Sequence, residues 1–167
     1  MNQLSLTDEP MGLYDSRFEH DACGIGFVVD VKGRRSHRIV TQALTVLTNL
    51  DHRGARGADP DTGDGAGILL QVPDEFLRQV CADGDIYLPP AGQYGVGMLF
   101  LPQDQNQRRT CCERLEGIVA EEGLSVLGWR DVPTNNDGLG AAALLDEPHV
   151  AQVFIDGGGL EPSALAW

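Results

Sequence analysis

The stretch Asp21-Ala22-Cys23-Gly24-Ile25-Gly26-Phe27 places a cysteine at a junction of small residues, directly ahead of an apolar, β-branched run. If the bond between Ala22 and Cys23 is cut, one residue carries both a thiol and a free α-amine. The amine has a reference pKa of about 8 and the thiol one of about 8.5. An amine in that position can take the thiol proton, directly or through a water, so no separate histidine is needed. The competing reading is that Cys23 is a small buried hydrophobe at the start of a strand. The rest of the chain has to choose between them.

Downstream, residues 24–31 read as a strand and Lys32-Gly33-Arg34-Arg35 as a turn. Ser36 is suited to cap a helix over residues 36–50, because Val40, Ala43, Leu44, Leu47 and Leu50 recur at spacings of three and four. A glycine- and aspartate-rich segment follows over residues 52–67, then a short strand over 68–72. Pro73 opens a second helix running to about residue 82. Residues 93–101 read as a strand, 105–122 as a helix stopped by Gly123, and 124–130 and 150–155 as two further strands. The order is mixed α and β, without repeats, and residues 23–155 read as one folded unit.

Composition narrows the partners. The chain has 167 residues, 42% of them hydrophobic, enough for one domain with a core. Its 25 acidic and 12 basic side chains give a net charge of −13, with the basic residues scattered singly or in pairs. Nucleic acid and anionic membrane surfaces are therefore excluded as expected partners. No apolar run approaches the ~18 residues of a membrane span. The acidic first 22 residues, with Asp8, Glu9, Asp15, Glu19 and Asp21, lack the basic start and apolar stretch of a secretory signal. A cytoplasmic location is expected. The four cysteines, Cys23, Cys81, Cys111 and Cys112, form no C-x-x-C pair, so reduced thiols and no zinc site are expected.

The segment from His52 to Gly67 is sixteen residues long, too long for a mere connector. A calcium loop counted from Asp59 fails on register, since the sixth position is Asp64 where glycine is required and the twelfth is Leu70 rather than glutamate. A phosphate cradle built on Gly63, Gly65 and Gly67 follows a helix rather than a strand and is ringed by aspartates that would repel phosphate. A solvated loop, whose aspartates and threonine only make turns, remains open. Within it, His52 reads as a structural hydrogen-bonding residue. Arg53 is the better site candidate, because a guanidinium can hold a carboxylate or carbonyl through two hydrogen bonds.

Taken in order, Cys23-Gly24-Ile25-Gly26-Phe27, His52-Arg53-Gly54-Ala55 and the run from Gly57 to Ile68 resemble the amino-terminal glutaminase domain of the glutamate synthase large subunit. Gln93-Tyr94-Gly95-Val96-Gly97-Met98 and Leu127-Gly128-Trp129-Arg130-Asp131-Val132-Pro133 extend the likeness, from about residue 18 to about 155. The resemblance implies a class II glutamine amidotransferase with an α+β N-terminal-nucleophile fold, a four-layer αββα sandwich, here incomplete. It implies that residues 1–22 are a pro-segment, that Cys23 is the nucleophile, and that Arg53 and Gly54 form the turn packed beside it. L-glutamine is the implied substrate, hydrolysed through a thioester at Cys23.

The resemblance further implies that the groups gripping glutamine's α-carboxylate and α-amine, and the Asn-Gly pair of the oxyanion hole, lie beyond Trp167. Asn135-Asn136-Asp137-Gly138 reads as a turn rather than as that pair. Residues 156–167 read as a tail unlike the family. No cofactor is expected in this chain; FMN and an iron–sulfur cluster are expected in the remainder of a parent synthase, supplied as a separate chain. Negligible isolated activity is expected, since each oxyanion donor is worth on the order of 10²–10³ in rate, and exposed apolar edges should bring poor solubility or dependence on a partner. Two alternatives stand beside this reading: a non-catalytic remnant or interaction module of the same fold, and a stand-alone hydrolase of the same nucleophile class acting on another amide.

Overall fold

Helix α1, His37–Asn49, begins where the sequence predicts. Ser36 is extended, at φ −160° and ψ 130°, and its hydroxyl oxygen accepts from the Arg38 amide at 3.2 Å. An unsatisfied amide of the first turn is thereby capped. The computed structural model describes residues 24–54, 59, 61–63 and 65–159. Cys23, the expected leader over 1–22, and residues 160–167 lie outside the described residues, as do residues 55–58, 60 and 64 of the glycine-rich loop. The chain divides into two compact units, one of residues 1–55 with 63–67, the other of residues 56–62 with 68–167.

In the first unit, the turn after residue 30 is built by one carboxylate. Asp30 accepts from the Lys32 amide at 2.8 Å and from Arg34 Nε and Nη2 at 3.1 and 2.9 Å, while its carbonyl accepts from Gly33 N–H at 2.8 Å. These donors, Arg34 foremost and the Lys32 amide next, hold the Asp30 carboxyl below the usual carboxylate range. Gly33 stands at φ +66°, a conformation that disfavours a side chain. The segment before this turn differs from expectation. Among the described residues, 24–31 join no sheet, and Ile25, Phe27 and Val31 are about nine-tenths or more exposed (96, 89 and 95%). An alternating apolar pattern specifies two faces of a strand but names no partner, and strand pairing is a non-local bond.

The second unit is an α+β body around a three-stranded antiparallel sheet. Helix α2 spans Asp74–Ala82, strand β1 Tyr94–Leu101, helix α3 Gln105–Glu121, strand β2 Ser125–Asp131, helix α4 Ala141–Leu145 and strand β3 His149–Asp156. The spatial order is β1-β3-β2, so the last strand in sequence is the central one. Its register runs Tyr94↔Asp156 to Leu101↔His149 on one side and Ser125↔Asp156 to Asp131↔Ala151 on the other, with a shift between Val126 and Gly128. The expected strand over 68–72 is also absent from the sheet, with Leu69 fully exposed. It has the propensity but, among the described residues, no ladder partner.

Alternation sorts the sheet residues onto two faces. Tyr94 and Phe154 bury against Leu77 and Cys81 of α2, with Val96, Ile86 and Leu127 packed around them. Phe154 and Cys81 are fully buried, and burial pushes the Cys81 thiol pKa up. Leu101, Ala151 and Val153 bury on the opposite face, and Val119 of α3 is also buried. Helix α3 starts under the Asp104 side chain, which accepts from Gln107 N–H at 2.9 Å. It ends at Gly123, whose φ of +75° is the left-handed stop that the sequence predicts.

Polar groups tie α2 to the strand beside it. Arg78 grips Asp74 with two bonds, Nε to Oδ2 at 2.9 Å and Nη2 to Oδ1 at 3.0 Å, and donates to the carbonyls of Leu88 and Pro89. Tyr94 Oη donates to Asp74 Oδ1 at 2.9 Å. One carboxylate therefore fixes a helix, a loop and a strand together.

Candidate active site

The residue after the cysteine is held against the arginine turn. A Cβ built on Gly24 would stand 3.0 Å from Leu50 Cδ2 and 3.1 and 3.3 Å from Arg53 Cβ and Cγ, and one on Gly26 would stand 2.5 Å from Val46 Cγ1. The backbone at 24–26 thus lies directly on the last turns of α1 and on Arg53, at a distance that only glycine permits without movement. This is the physical use of the two glycines in Cys23-Gly24-Ile25-Gly26. Cys23 itself is outside the described residues, but one peptide bond joins it to Gly24.

Arg53 is brought to this place by a short 3₁₀ turn, Asp51–Arg53, which continues directly from α1. Leu50 N–H donates to the carbonyls of Val46 and Leu47 at 3.0 Å, Arg53 N–H to Leu50 O at 2.8 Å, and Gly54 N–H to Asp51 O at 3.1 Å. His52 Nδ1 lies 2.9 Å from Asn49 O, where it donates. That is the structural role the sequence suggests for it, and it leaves Arg53 as the charged side chain of the turn nearest Gly24. The arginine and the cysteine-bearing segment, almost thirty positions apart in sequence, are neighbours because α1 returns the chain alongside residues 24–26.

The middle of the glycine-rich loop is organised by Asp59, within the second unit. Its carboxylate accepts from the Asp61 amide at 3.1 Å, the Thr62 hydroxyl at 3.1 Å and the Ala142 amide at 3.5 Å, while Asp61 O accepts from Gly140 N–H at 3.1 Å. The Asp61 amide, and behind it the Thr62 hydroxyl and the amides of Ala142 and Ala141, hold the Asp59 carboxyl below its ordinary pKa. Gly140 leaves no room for a side chain between its backbone and Asp59 and Thr62. Sequence reasoning finds the Asp-Thr turn but not its dock on residues 140–142, eighty positions away. The only signal was the pairing of a turn-forming aspartate with a second glycine-bounded segment.

Among the described residues, no group of three or more His, Cys, Asp or Glu could hold a metal ion. No described helix is long and apolar enough to cross a membrane. Of the described cysteines, Cys81 on α2 is buried, and on α3 Cys111 is exposed and Cys112 half-buried.

A sequence model of the class II glutamine amidotransferases matches residues 23–165, starting at the cysteine that the opening stretch singles out. The chain belongs to the class II glutamine amidotransferase family. Its relatives are glutamate synthases. It is 49% identical over 144 residues to the glutamate synthase [NADPH] large chain of Bacillus subtilis, covering 86% of this chain and 9% of that protein. Against ferredoxin-dependent glutamate synthase 2 of Synechocystis it is 42% identical over 137 residues, covering 82% and 9%. Against the glutamate synthase [NADH] of Saccharomyces cerevisiae it is 45% identical over 156 residues, covering 90% and 7%. The chain thus spans less than a tenth of the length of these relatives, and what it shares with them is the class II amidotransferase region.

Proposed function

We propose that this chain is the glutaminase part of a glutamate synthase, with Cys23 as nucleophile once residues 1–22 are removed. The observation that carries the reading is the packing of Gly24 on Leu50 and on the Cβ and Cγ of Arg53, which sets the residue after Cys23 against the stem of an arginine, a residue type that can hold an amide or carboxylate. The family match beginning at residue 23 supports the same start point for the mature domain.

In this reading the α-amine of Cys23 takes the thiol proton and the thiolate attacks the side-chain amide carbon of L-glutamine. The tetrahedral oxyanion collapses, the protonated amine returns its proton to the leaving nitrogen, and ammonia departs. Water then adds to the γ-glutamyl thioester, with the amine again accepting the proton, and expulsion of the thiolate yields glutamate. Arg53 and Gly54 hold the substrate end of the site. The oxyanion donors and the groups for the α-carboxylate and α-amine are assigned to synthase sequence outside residues 1–167, as are FMN and an iron–sulfur cluster. A cytoplasmic location and delivery of ammonia to that remainder complete the proposal.

Exposure of apolar side chains supports the need for that remainder. Within the second unit, the β1 residues Met98 and Phe100, two positions apart on one face of the strand, are 52 and 71% exposed, the kind of apolar exposure that marks an interaction face. The same observation favours a second reading, a non-catalytic interaction module of this fold.

The two readings separate experimentally. The chain is produced alone and together with the rest of a synthase, its amino terminus is read by intact mass, and it is treated with a diazo-ketone analogue of glutamine. Mature protein beginning at Cys23, with one adduct lost in Cys23→Ser, is the expected result. A retained leader and no adduct in the presence of the remainder would leave the interaction module.

A further inference from the structure

A cleft of about 410 Å³ opens between α3 and the sheet, on the face opposite the buried Phe154. Leu101 and Ala151, both buried, form its floor, and half-buried Trp129, Arg108, Cys112 and His149 form its walls. The volume falls within the range of small-molecule sites, and an apolar floor with a few convergent polar groups is their usual composition.

The charges in the cleft are unequal in what they have to bond. His149 Nε2 is 2.9 Å from Asp131 Oδ1, and Trp129 Nε1 donates to Glu116 Oε1 at 2.7 Å. Arg109, at the rim, lies 3.8 Å from Glu113 Oε1 and donates to Asn106 Oδ1 at 3.4 Å. Among the described residues, the Arg108 side chain has one long bond, Nη1 to the Pro102 carbonyl at 3.5 Å. A guanidinium carries five N–H donors in a fixed fork, so Arg108 retains most of its donor capacity beside an indole and above an apolar floor. Asp131 also lines the cleft, but it accepts from His149, so in a chain of net charge −13 Arg108 is the cation here with the most donor capacity left for an anion.

We infer that this cleft binds a small organic monocarboxylate with a flat apolar body, its carboxylate on Arg108 and its body on Trp129, Leu101 and Ala151. The planar fork of arginine matches a carboxylate through two bonds, and the indole face matches a flat ring. The site belongs to the second unit alone and is independent of the glutaminase reading.

The test titrates the whole chain with benzoate and, separately, with neutral benzamide, following the Trp129 indole N–H by NMR; Trp129→Phe assigns the signal. A saturable shift with benzoate, at least tenfold weaker binding of benzamide, and at least tenfold weaker benzoate binding in Arg108→Gln are expected. Absence of a saturable shift, equal binding of benzamide, or unchanged affinity in Arg108→Gln overturns the assignment. If Arg108→Gln does not fold, the comparison of benzoate with benzamide on the unaltered chain decides alone.

Discussion

Tyr94 Oη donates to Asp74 Oδ1 at 2.9 Å, across twenty positions of sequence, while Arg78 holds the same carboxylate from the next turn of α2. Burial, and after it the bond to Asp74, pushes the Tyr94 pKa up from its ordinary value to about 12. The neutral phenol is therefore the form the fold prefers.

Tyr94→Phe removes one bond and leaves Asp74 paired with Arg78, so a loss of about 1–2 kcal/mol in urea unfolding is expected. The stabilisation from protonated Tyr94 is complete below the unfolded-state value of about 10 and is lost as pH rises through the folded-state value. The stability difference between the unaltered chain and Tyr94→Phe should therefore narrow above pH ~10. A constant difference to the highest pH that leaves the protein folded would contradict the assignment.

Gly26 lies where a Cβ would stand 2.5 Å from Val46 Cγ1. Gly26→Ala is expected to cost about 1–3 kcal/mol through overpacking. Val46→Ala opens the space, so the double variant should lose less than the sum of the two single losses. Measured additivity within about 0.5 kcal/mol would mean that the two residues do not touch.

Asp59 docks the glycine-rich loop on residues 140–142, and its donors act on the ionised carboxylate. With its folded pKa below the ordinary value, the dock is intact above about pH 4 and is lost as pH falls through that lowered value. Amide protection factors at Thr62 and Ala142, taken relative to the intrinsic exchange rate at each pH, should fall on acidification, and Gly140→Ala should lower them at neutral pH as well. Unaltered exchange in Gly140→Ala would show that the dock does not order the loop.

On the proposed chemistry, Arg53→Ala should slow alkylation of Cys23 by the diazo-ketone analogue roughly 10- to 100-fold, the loss of about 1.5–3 kcal/mol of charged hydrogen bonding. Arg53→Lys should restore less than half of that loss on a logarithmic scale, because an ammonium cannot make the paired bonds. A rate unchanged by both substitutions would remove Arg53 from the site.

Local chemistry was legible in the chain. Ser36 at the start of α1, Pro73 before α2, Gly123 after α3 and the apolar periods of both long helices each act within a few residues, and the structure has the helices there. Helix α4 went unread, since five residues of Ala-Ala-Ala-Leu-Leu give no period to count. Of the candidate site, the residues singled out Arg53, and the family resemblance implied an Arg53-Gly54 turn beside Cys23, but the close approach of Gly24 to Leu50 and the Arg53 stem was not legible.

What the sequence by itself determined is the set of segments able to be helix or strand, and the cysteine motif through which the family is recognised. Tertiary structure alone decided which strands have partners. Residues 94–101, 125–131 and 149–156 pair and residues 24–31 and 68–72 do not, although all five share the composition of strands. It also decided that Gly24 rests on Arg53 and that Asp59 meets Gly140. Helix caps and periods are short-range bonds written into neighbouring residues, whereas a sheet ladder or a close backbone approach depends on where a distant segment returns.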